Sequence, residues 1–263
     1  MSVLTCEVQD GVATLTMNRP EAKNAIGGGM REAFAAAVPK LVADASVRAV
    51  ILTGAGGAFC AGGDLRAMSE VRDSMTPQTW RERMLQVQPW LRQLIELDRP
   101  LIAAVDGVAY GAGFSLALAA DFIIASPRAR FCLSFMRVGL VPDFGAMFTL
   151  PRVVGVQRAK ELMLSAREVQ ADEALRLGIA MEVVPQDQLL ARARALAQSF
   201  VHASPLAVSL VKQNVARALA SDLGSLFAAE AEHQAQCFST PTHRDAVDRF
   251  LSKQPAAFSW PQA

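Results

Sequence analysis

Two glycine-rich segments limit the folds open to this chain more than any other feature. They are residues 58–65 (AFCAGGDL) and 106–113 (DGVAYGAG). Each follows an apolar run with strand character and precedes a run with helical character. Repetition of strand, glycine-rich turn and helix indicates α/β layers joined by crossover connections. We therefore predict an α/β fold.

The spacing of apolar residues extends this pattern along the chain. Strands are predicted at residues 5–17, with a hairpin turn at Gly11, and at 47–53, 101–105, 122–125 and 180–184. Helices are predicted at residues 30–45, 84–97, 114–120, 157–164, 171–177, 186–200, 205–220 and 223–238. No Ser/Gly-rich linker interrupts the chain. We predict an α/β core at 1–200 and a helical region at 201–263.

The charge balance argues against several classes of partner. Lysine and arginine total 26 against 25 acidic residues in 263, so no net field favours nucleic acid or an anionic membrane surface. The most apolar stretch, residues 101–125, is interrupted by Asp106 and Asp121, and the segment between them is too short for a membrane-spanning helix. Glu7 and Asp10 argue against a signal peptide at 1–20.

The cysteines form no Cys-x-x-Cys pair, which suits reduced thiols and predicts a cytoplasmic protein. They are Cys6, Cys60, Cys132 and Cys237. The histidines all lie in the last quarter of the chain and form no His-x-x-x-His pair, so a zinc or iron site is not expected. They are His202, His233 and His243.

Both glycine-rich segments can present main-chain N–H groups. Adjacent Gly62 and Gly63 let the backbone turn without a Cβ clash, and Asp64 is placed to cap a following helix. In the second segment, an N–H at the start of the next helix is a ready donor to developing negative charge. A purely structural turn would explain either segment alone. A dinucleotide-binding fingerprint fits poorly, because the third glycine is missing at the required spacing.

With their surroundings, the two segments resemble the crotonase (enoyl-CoA hydratase/isomerase) superfamily over nearly the whole chain. The matching landmarks are residues 18–20 (NRP), 24–25 (NA), 59–65 (FCAGGDL), 99–107 (RPLIAAVDG), 111–113 (GAG), 139–142 (GLVP), 150–152 (LPR) and 250–253 (FLSK). The resemblance implies a spiral of ββα units, with 201–263 as a helical oligomerisation region. It also implies an acyl-CoA substrate, a homotrimer or dimer of trimers, and no metal or cofactor beyond the coenzyme A moiety of the substrate.

The resemblance also assigns residues to the site. Gly63 and Ala112 would supply two N–H groups that hold the thioester carbonyl oxygen. Lys23, or nearby Arg66, would supply charge to the phosphates of coenzyme A. The other implied substrate-binding residues are Ala22, Ala25, Ala61, Gly62, Asp64, Leu65, Val108, Gly111, Ser115, Ser134, Phe135 and Val138, with Phe250 and Lys253 reaching the ligand of a neighbouring subunit.

The sequence departs from the two-glutamate hydratases of this family. The positions of the two glutamates hold Ser115 and Phe135, and neither side chain can act as a carboxylate base. A carboxylate does occur at Asp143, directly after Pro142, where many hydratases carry glycine. This arrangement resembles Δ3,Δ2-enoyl-CoA isomerases and the oxepin-forming isomerases of aromatic catabolism.

One carboxylate beside a stabilised enolate suffices for a 1,3 proton shift, because it can remove a proton from one carbon and return it to another. Apolar neighbours at Phe135, Val138 and Phe144 should raise the pKa of Asp143. We therefore predict a double-bond isomerase with Asp143 as its base. The alternative is that Asp143 only caps a turn or the next helix.

Three further functions stay open. A dehalogenase would use Asp143 as nucleophile, but it needs a histidine where helix 83–97 offers Gln88, and a tryptophan where Phe135 stands. A serine hydrolase would use Ser115, Asp143 and His202, although the sequence around Ser115 is only a near match to a nucleophile elbow. A protein that binds CoA esters without turnover is the third.

The acyl group itself is not readable from the sequence, beyond an apolar character. A roomy apolar pocket is predicted from aromatic and methionine side chains, namely Phe135, Met136, Phe144, Met147 and Phe148. Chain length, ring size and pathway stay open.

Overall fold

The structure, a computed structural model, describes residues 2–262, so the outermost positions of the two predicted regions, 1 and 263, lie outside it. The described chain is a mixed α/β fold with a helical C-terminal region, as predicted. Its main sheet has the strand order β1-β2-β3-β4-β6-β9, and a smaller sheet has the order β5-β7-β8. The strands are β1 (Leu4–Gln9), β2 (Val12–Met17), β3 (Ala49–Gly54), β4 (Leu101–Val105), β5 (Val108–Tyr110), β6 (Phe122–Ala125), β7 (Arg130–Cys132), β8 (Val169–Gln170) and β9 (Glu182–Val183).

The helices follow the strands in alternation and then dominate the C-terminal third. They are α1 (Met30–Ala43), α2 (Leu65–Val71), α3 (Pro77–Leu85), α4 (Gln88–Ile95), α5 (Ala112–Ala117), α6 (Ala146–Val154), α7 (Val156–Ser165), α8 (Ala171–Arg176), α9 (Leu189–Ser199), α10 (Pro205–Ala218), α11 (Leu223–Phe238) and α12 (Pro241–Leu251). Short 3-10 turns at Pro20–Ala22 and Ser134–Val138 flank the site described below.

The chain opens with the predicted hairpin. Gln9 pairs with Val12 across a two-residue turn in which Asp10 and Gly11 have φ of 51° and 77°. Positive φ at both positions gives a turn whose twist matches that of the flanking strands. The other pairings in the main sheet, from β2 to β9, are parallel.

The central strand β4 is buried on both faces, as a parallel strand covered by helices should be. Leu101, Ala103 and Val105 face the larger apolar core, which α1, α4 and α5 cover. Ile102 and Ala104 face a second apolar layer formed with α9. The glycine-rich segment at 106–113 therefore leaves from a strand that is packed on both faces.

Several predicted elements were wrong in extent. The single helix predicted at 84–97 is two helices, α3 and α4, which meet near Val87. Pro89 explains the break, because proline has no N–H to donate and is tolerated only in the first turn of a helix. The turn predicted at 106–113 contains the strand β5, and α5 begins at Ala112, two residues before the predicted start. Helices α6 and α12 were not predicted.

The C-terminal helices leave many large apolar side chains exposed. These are Val211, Val215, Leu219, Leu223, Phe227, Phe238, Phe250 and Leu251. The tail after α12 returns to the core, where Trp260 packs edge-on against Phe122 and Arg192 donates to the carbonyl oxygens of Pro261 and Gln262. None of the helices in residues 2–262 combines the length and the apolarity needed to cross a membrane.

Candidate active site

The two glycine-rich segments lie side by side in the structure. Cys60 forms a parallel bridge with Ala109 of β5. The Cys60 N–H donates to the Val108 carbonyl oxygen, and the Tyr110 N–H donates to the Cys60 carbonyl oxygen, both at 2.9 Å. Residues near 60 thus act as a further strand beside β5, and they bring together two predicted donors that lie far apart in the sequence.

The amides of Gly63 and Ala112 are the two predicted donors. A Cβ built on Gly62 would lie 3.5 Å from the Ala112 nitrogen, so the Gly62–Gly63 turn adjoins the start of α5. Within residues 2–262, neither the Gly63 N–H nor the Ala112 N–H has a hydrogen-bond acceptor. Two unpaired N–H groups on adjoining segments can both donate to one carbonyl oxygen and stabilise the negative charge that develops on it. Their catalytic role stays a prediction.

The start of α5 is fixed by its surroundings. The Gly111 N–H donates to the Cys132 carbonyl oxygen at 2.8 Å, which ties this turn to β7. Ser115 is fully buried, and its Oγ donates to the Gly111 carbonyl oxygen at 3.2 Å. The hydroxyl is therefore satisfied inside the fold.

A second strip of backbone, from Lys23 to Ile26, runs along the first segment. The Ile26 N–H donates to the Gly62 carbonyl oxygen at 2.7 Å, and the Ala61 N–H donates to the Lys23 carbonyl oxygen at 2.9 Å. These bonds bring the predicted residues Lys23, Ala25, Ala61 and Gly62 together. Ala22 ends the 3-10 turn immediately before this strip.

Asn24 was only a landmark in the sequence, yet it organises this part of the site. It is fully buried, and its Nδ2 donates to the carbonyl oxygens of Ala55 at 2.9 Å and Ala58 at 2.7 Å. Its Oδ1 accepts from the Arg19 N–H at 2.8 Å. The positive φ of 57° at this position is one that asparagine tolerates better than most residues. Asn24 thus holds the loop that leads into Cys60.

Arg19 was likewise missed, and it joins both strips. Its Nη1 donates to the Ala25 carbonyl oxygen at 3.0 Å, and its guanidinium lies 3.4 Å from the Asp64 Oδ2. The other oxygen of Asp64 accepts from the Ala67 N–H at 3.2 Å. This bond confirms the prediction that Asp64 caps the following helix, α2. Leu65, the first residue of α2, is about half exposed.

Phe135 closes the other side of the site. A Cβ built on Gly111 would lie 3.4 Å from the Ser134 Oγ and 3.8 Å from the Phe135 Cζ. Phe135 is buried, whereas Val138 at the end of the same 3-10 turn is 49% exposed. An aromatic ring therefore lies beside the start of α5, where it excludes water.

Asp143 lies on the loop that follows. The Leu140 N–H donates to the Phe135 carbonyl oxygen at 3.0 Å, so this loop leaves from beside Phe135. The Asp143 Oδ1 is buried and has no hydrogen-bond partner within residues 2–262. Burial raises the pKa of Asp143 to about 6, as predicted in direction. A carboxyl group with this pKa is well suited to exchange protons near neutrality.

One of the side chains predicted to line an apolar pocket lies in the core instead. Phe144 is buried and packs edge-on against Trp90, with ring centroids 5.8 Å apart, so it belongs to the core. Met136, Met147 and Phe148 are each about half exposed.

The peripheral assignments lie apart from this cluster. Phe250 on α12 is 82% exposed, and Lys253 follows it in a left-handed conformation. Within residues 2–262, no side-chain hydrogen bond or ion pair joins either residue to the segments around Gly63 and Ala112. Their role toward a neighbouring subunit stays a prediction, as does the role of Lys23 or Arg66 toward phosphates.

The serine-hydrolase alternative finds no support in the described geometry. The Ser115 Oγ is fully buried and bonded to backbone, and no hydrogen bond within residues 2–262 links Ser115, Asp143 and His202. A nucleophile needs a base within hydrogen-bond reach. In the part of the chain that the structure describes, no group of three or more His, Cys, Asp or Glu gathers to hold a metal ion. The expectation of no cofactor beyond coenzyme A stays a prediction.

The fold and this site together define an α/β protein of the crotonase type. A family model described as enoyl-CoA hydratase/isomerase matches residues 7–261. The chain belongs to the enoyl-CoA hydratase/isomerase family, whose members act on CoA thioesters.

Individual relatives span nearly the whole chain. A short-chain-enoyl-CoA hydratase from Clostridium acetobutylicum is 37% identical over 94% of each chain. A 1,2-epoxyphenylacetyl-CoA isomerase from Escherichia coli K12 is 34% identical over 98% of this chain and 99% of its own. The crystal structure of an enoyl-CoA hydratase/isomerase from Cupriavidus metallidurans is 43% identical, covers 100% of this chain and 98% of its own, and has a TM-score of 0.93.

Proposed function

We propose that this protein is an acyl-CoA isomerase that shifts a double bond by 1,3 proton transfer, with Asp143 as its single carboxylate base. The observation that carries the proposal is the half-buried Asp143 side chain. Its Oδ1 is buried and has no hydrogen-bond partner in residues 2–262, and burial raises the pKa of the carboxyl group to about 6. A carboxylate that only capped a helix would accept from a backbone amide there, as the Asp64 Oδ1 does from the Ala67 N–H.

The chemistry follows from three groups. Asp143 takes a proton from carbon 2 of a 3-enoyl thioester, and the electron pair moves through the carbonyl group to its oxygen. The amides of Gly63 and Ala112 stabilise the resulting oxyanion, each by about 3 kcal/mol. Protonated Asp143 then returns the proton to carbon 4, and the double bond ends in conjugation with the thioester.

The surroundings of Asp143 favour isomerisation over addition of water. The hydratase chemistry of this family uses two carboxylates, and the corresponding positions hold a buried, backbone-bonded Ser115 and a buried Phe135. With Asp143 as the single carboxylate proposed at the site, a second carboxylate that would help to hold and activate a water is missing from those two positions. The 34% identity with the isomerase from Escherichia coli supports the same conclusion.

Hydration of an enoyl-CoA is the second candidate. The 37% identity with the hydratase from Clostridium acetobutylicum favours it. The two candidates predict different products, because isomerisation conserves the mass of the thioester and hydration adds one water. Mass spectrometry of the product therefore separates them.

The direct test is a panel of 3-enoyl, 2-enoyl and aryl-acetyl CoA esters, followed by ultraviolet absorbance of the conjugated thioester. The wild type should convert a 3-enoyl ester into the 2-enoyl ester. Asp143→Asn should lower kcat by a factor of about 100 or more while the CoA ester still binds. Asp187→Asn, which changes an exposed carboxylate far along the chain, is the matched control. Unchanged turnover in Asp143→Asn would remove Asp143 as the base.

We also propose that the chain works as a cytoplasmic homotrimer or dimer of trimers through the exposed apolar side chains of α10 to α12. Val215, Leu219 and Phe250 are between 68% and 82% exposed, and each of the three helices carries several such side chains, as surfaces that bind another protein do. A mass measurement at micromolar concentration should give a multiple of three chains. A monomer would contradict the assembly but not the chemistry at Asp143.

A further inference from the structure

The backbone directly after Asp143 forms a strained turn. The Asp143 carbonyl oxygen accepts from the Ala146 N–H at 3.1 Å, and the two residues between them, Phe144 and Gly145, have φ of 51° and 77°. A turn with positive φ at both central positions favours asparagine, aspartate or glycine there. Gly145 suits its position, but a bulky residue rarely adopts the conformation of Phe144. This turn therefore needs support from outside its own four residues.

The aromatic core supplies that support. The Phe144 ring is buried and packs edge-on against Trp90 of α4, with ring centroids 5.8 Å apart. Trp90 is in turn stacked on Phe34 of α1, with centroids 4.9 Å apart and ring planes 10° from parallel, and both are buried. Aromatic pairs of these two geometries are favourable beyond the area that they bury. The Phe144 ring is thus fixed to two helices.

Helix α4 also contacts the second residue of the turn. A Cβ built on Gly145 would lie 3.1 Å from the Ile95 Cδ1, so this helix packs closely against the backbone there. The Asp143 side chain has no comparable support, because its buried Oδ1 has no hydrogen-bond partner within residues 2–262. No hydrogen bond to that oxygen holds the carboxyl group in place, and its position depends on the turn that follows.

We propose that Trp90 is a positioning residue for Asp143: by holding the Phe144 ring in the core, it fixes the turn at 143–146 and with it the Asp143 carboxyl group. The inference rests on the proposed function in that Asp143 is the base whose position matters. Strained backbone persists only where the surrounding structure holds it, and it is often found at functional sites. The same turn keeps the carboxyl group away from water, and this burial raises its pKa to about 6.

Substitution Trp90→Leu tests the proposal through the pH dependence of turnover. The variant keeps an apolar side chain but loses the ring, so the turn relaxes and water reaches the Asp143 carboxyl group. We expect kcat for a 3-enoyl-CoA to fall about tenfold or more with KM nearly unchanged, because the base is misplaced while the thioester still binds. The midpoint of the pH profile of kcat/KM should move from about 6 towards the ordinary value of 3.8. Trp90→Phe, which keeps a ring, should retain most of kcat and the wild-type midpoint.

The matched control is Phe200→Leu, in the apolar layer on the other face of the main sheet. Phe200 is also buried and also contacts aromatic rings, namely those of Phe122, Phe258 and Trp260. Loss of its ring should lower the free energy of unfolding in urea, while the folded molecules keep the wild-type kcat and midpoint. If Trp90→Leu behaves like this control, Trp90 only packs the core and the inference is overturned.

A second variant, Phe144→Gly, removes the same contact from its other side. Glycine adopts a φ of 51° without strain, but it offers Trp90 no ring to hold. It should therefore reproduce the loss of kcat and the shifted midpoint even where Trp90→Leu folds poorly. In Trp90→Leu/Phe144→Gly the two losses should not add, because both act through one contact. Fully additive losses of kcat would overturn the inference.

A measurement without substrate separates this inference from the proposed function. Isotope labelling of the aspartate carboxyl carbons lets NMR follow the ionisation of Asp143, whose signal is identified by its absence in Asp143→Asn. The wild-type signal should titrate near pH 6, and the Trp90→Leu signal at a lower pH. Equal titrations would overturn the inference and leave the isomerase proposal standing. Titrations that differ as expected, in a protein that converts no 3-enoyl-CoA, would remove the isomerase proposal, although Trp90 would still place the carboxyl group.

Discussion

Gly62 lies so close to Tyr110 that a Cβ on Gly62 would stand 2.5 Å from the Tyr110 carbonyl oxygen. The same backbone turn adjoins the Ala112 amide, and Gly62 has a φ of 90°. The close approach of the two segments, which brings the amides of Gly63 and Ala112 together, therefore depends on the absence of a side chain at this position.

Substitution Gly62→Ala should separate the two amides. We expect kcat/KM for a 3-enoyl-CoA to fall by about a hundredfold or more, as when one oxyanion donor is lost. The free energy of unfolding should fall by more than the 1–2 kcal/mol, roughly, that a left-handed alanine costs. Turnover assays and urea denaturation measure the two effects.

Gly29→Ala is the matched control, because Gly29 has a nearly equal φ of 88° but nothing within 4 Å of its Cβ position. It should show the backbone cost alone and keep most of the activity. Equal losses of activity in the two variants would mean that the contact with Tyr110 does not shape the site.

The activity should depend on pH through Asp143. The carboxylate form is the base, and the pKa of this group in the free enzyme is about 6. Hence kcat/KM should rise tenfold per pH unit below about pH 6 and level off above it. A pH–rate profile with a 3-enoyl-CoA measures this directly. A profile that stays flat down to about pH 4.5 would contradict the assignment of Asp143 as the base.

Ionisation of the same group should lower its contribution to the stability of the wild type as the pH rises. Its pKa in the folded state, about 6, exceeds the ordinary value of 3.8, so between these values the folded protein binds more protons than the unfolded chain. The contribution of Asp143 to the free energy of unfolding is then most favourable below about pH 4 and falls as the pH rises to about 6, by up to about 3 kcal/mol.

Asp143→Asn removes this dependence, because an amide does not ionise. The variant should be more stable than the wild type at about pH 8, by up to about 3 kcal/mol, and nearly equal to it at about pH 4. Denaturant titrations at the two pH values test this. A variant less stable than the wild type at about pH 8 would indicate that Asp143 has a structural partner.

The sequence predicted the segments that present backbone amides better than it predicted the helices around them. Glycines that follow a strand indicate a turn whatever the rest of the fold is. Residues 58–65 and 106–113 could therefore be identified as turns from local sequence alone. The helix predicted at 84–97 was wrong because the helical spacing of apolar residues continues across Pro89. The prediction followed that spacing, although proline lacks the N–H that the interior of a helix requires. The strand β5 is three residues long and pairs with β7, a partner that local periodicity does not reveal.

Side-chain roles were harder to predict. The raised pKa of Asp143 was expected from its apolar neighbours, but Phe144 was expected in the pocket and lies in the core against Trp90. Asn24 was missed because its partners are the carbonyl oxygens of Ala55 and Ala58, some thirty residues further on. No spacing rule connects an amide side chain with backbone oxygens at that separation.

The ion pair between Arg19 and Asp64 should contribute to both stability and substrate binding. The two side chains are 16% and 18% exposed, so solvent screens their attraction less than at the surface. A double-mutant cycle with Arg19→Gln and Asp64→Asn should give a coupling of about 1 kcal/mol. Asparagine keeps an oxygen for the Ala67 N–H, so the helix cap survives. The KM for the CoA ester should rise in both single variants.

The exposed pair Arg92 and Glu96 on α4 is the matched control, with 77% and 58% exposure. Its coupling should be smaller and should leave KM unchanged. If the Arg19 cycle gives no more coupling than this surface pair, the link between the two strips near Gly62 does not depend on the charges.

The bridge between Cys60 and Ala109 also bears on how the molecule reaches its native state. The segments that it joins are separated in sequence by the whole of α2, α3, α4 and β4, and pairings of such high contact order form slowly. In folding intermediates that already contain the β1–β2 hairpin and α1, the Ala112 amide would not yet lie beside the Gly63 amide. Recovery of thioester binding during refolding should therefore lag behind recovery of helical circular dichroism, and a nascent chain would gain its ligand affinity only after β5 has been synthesised.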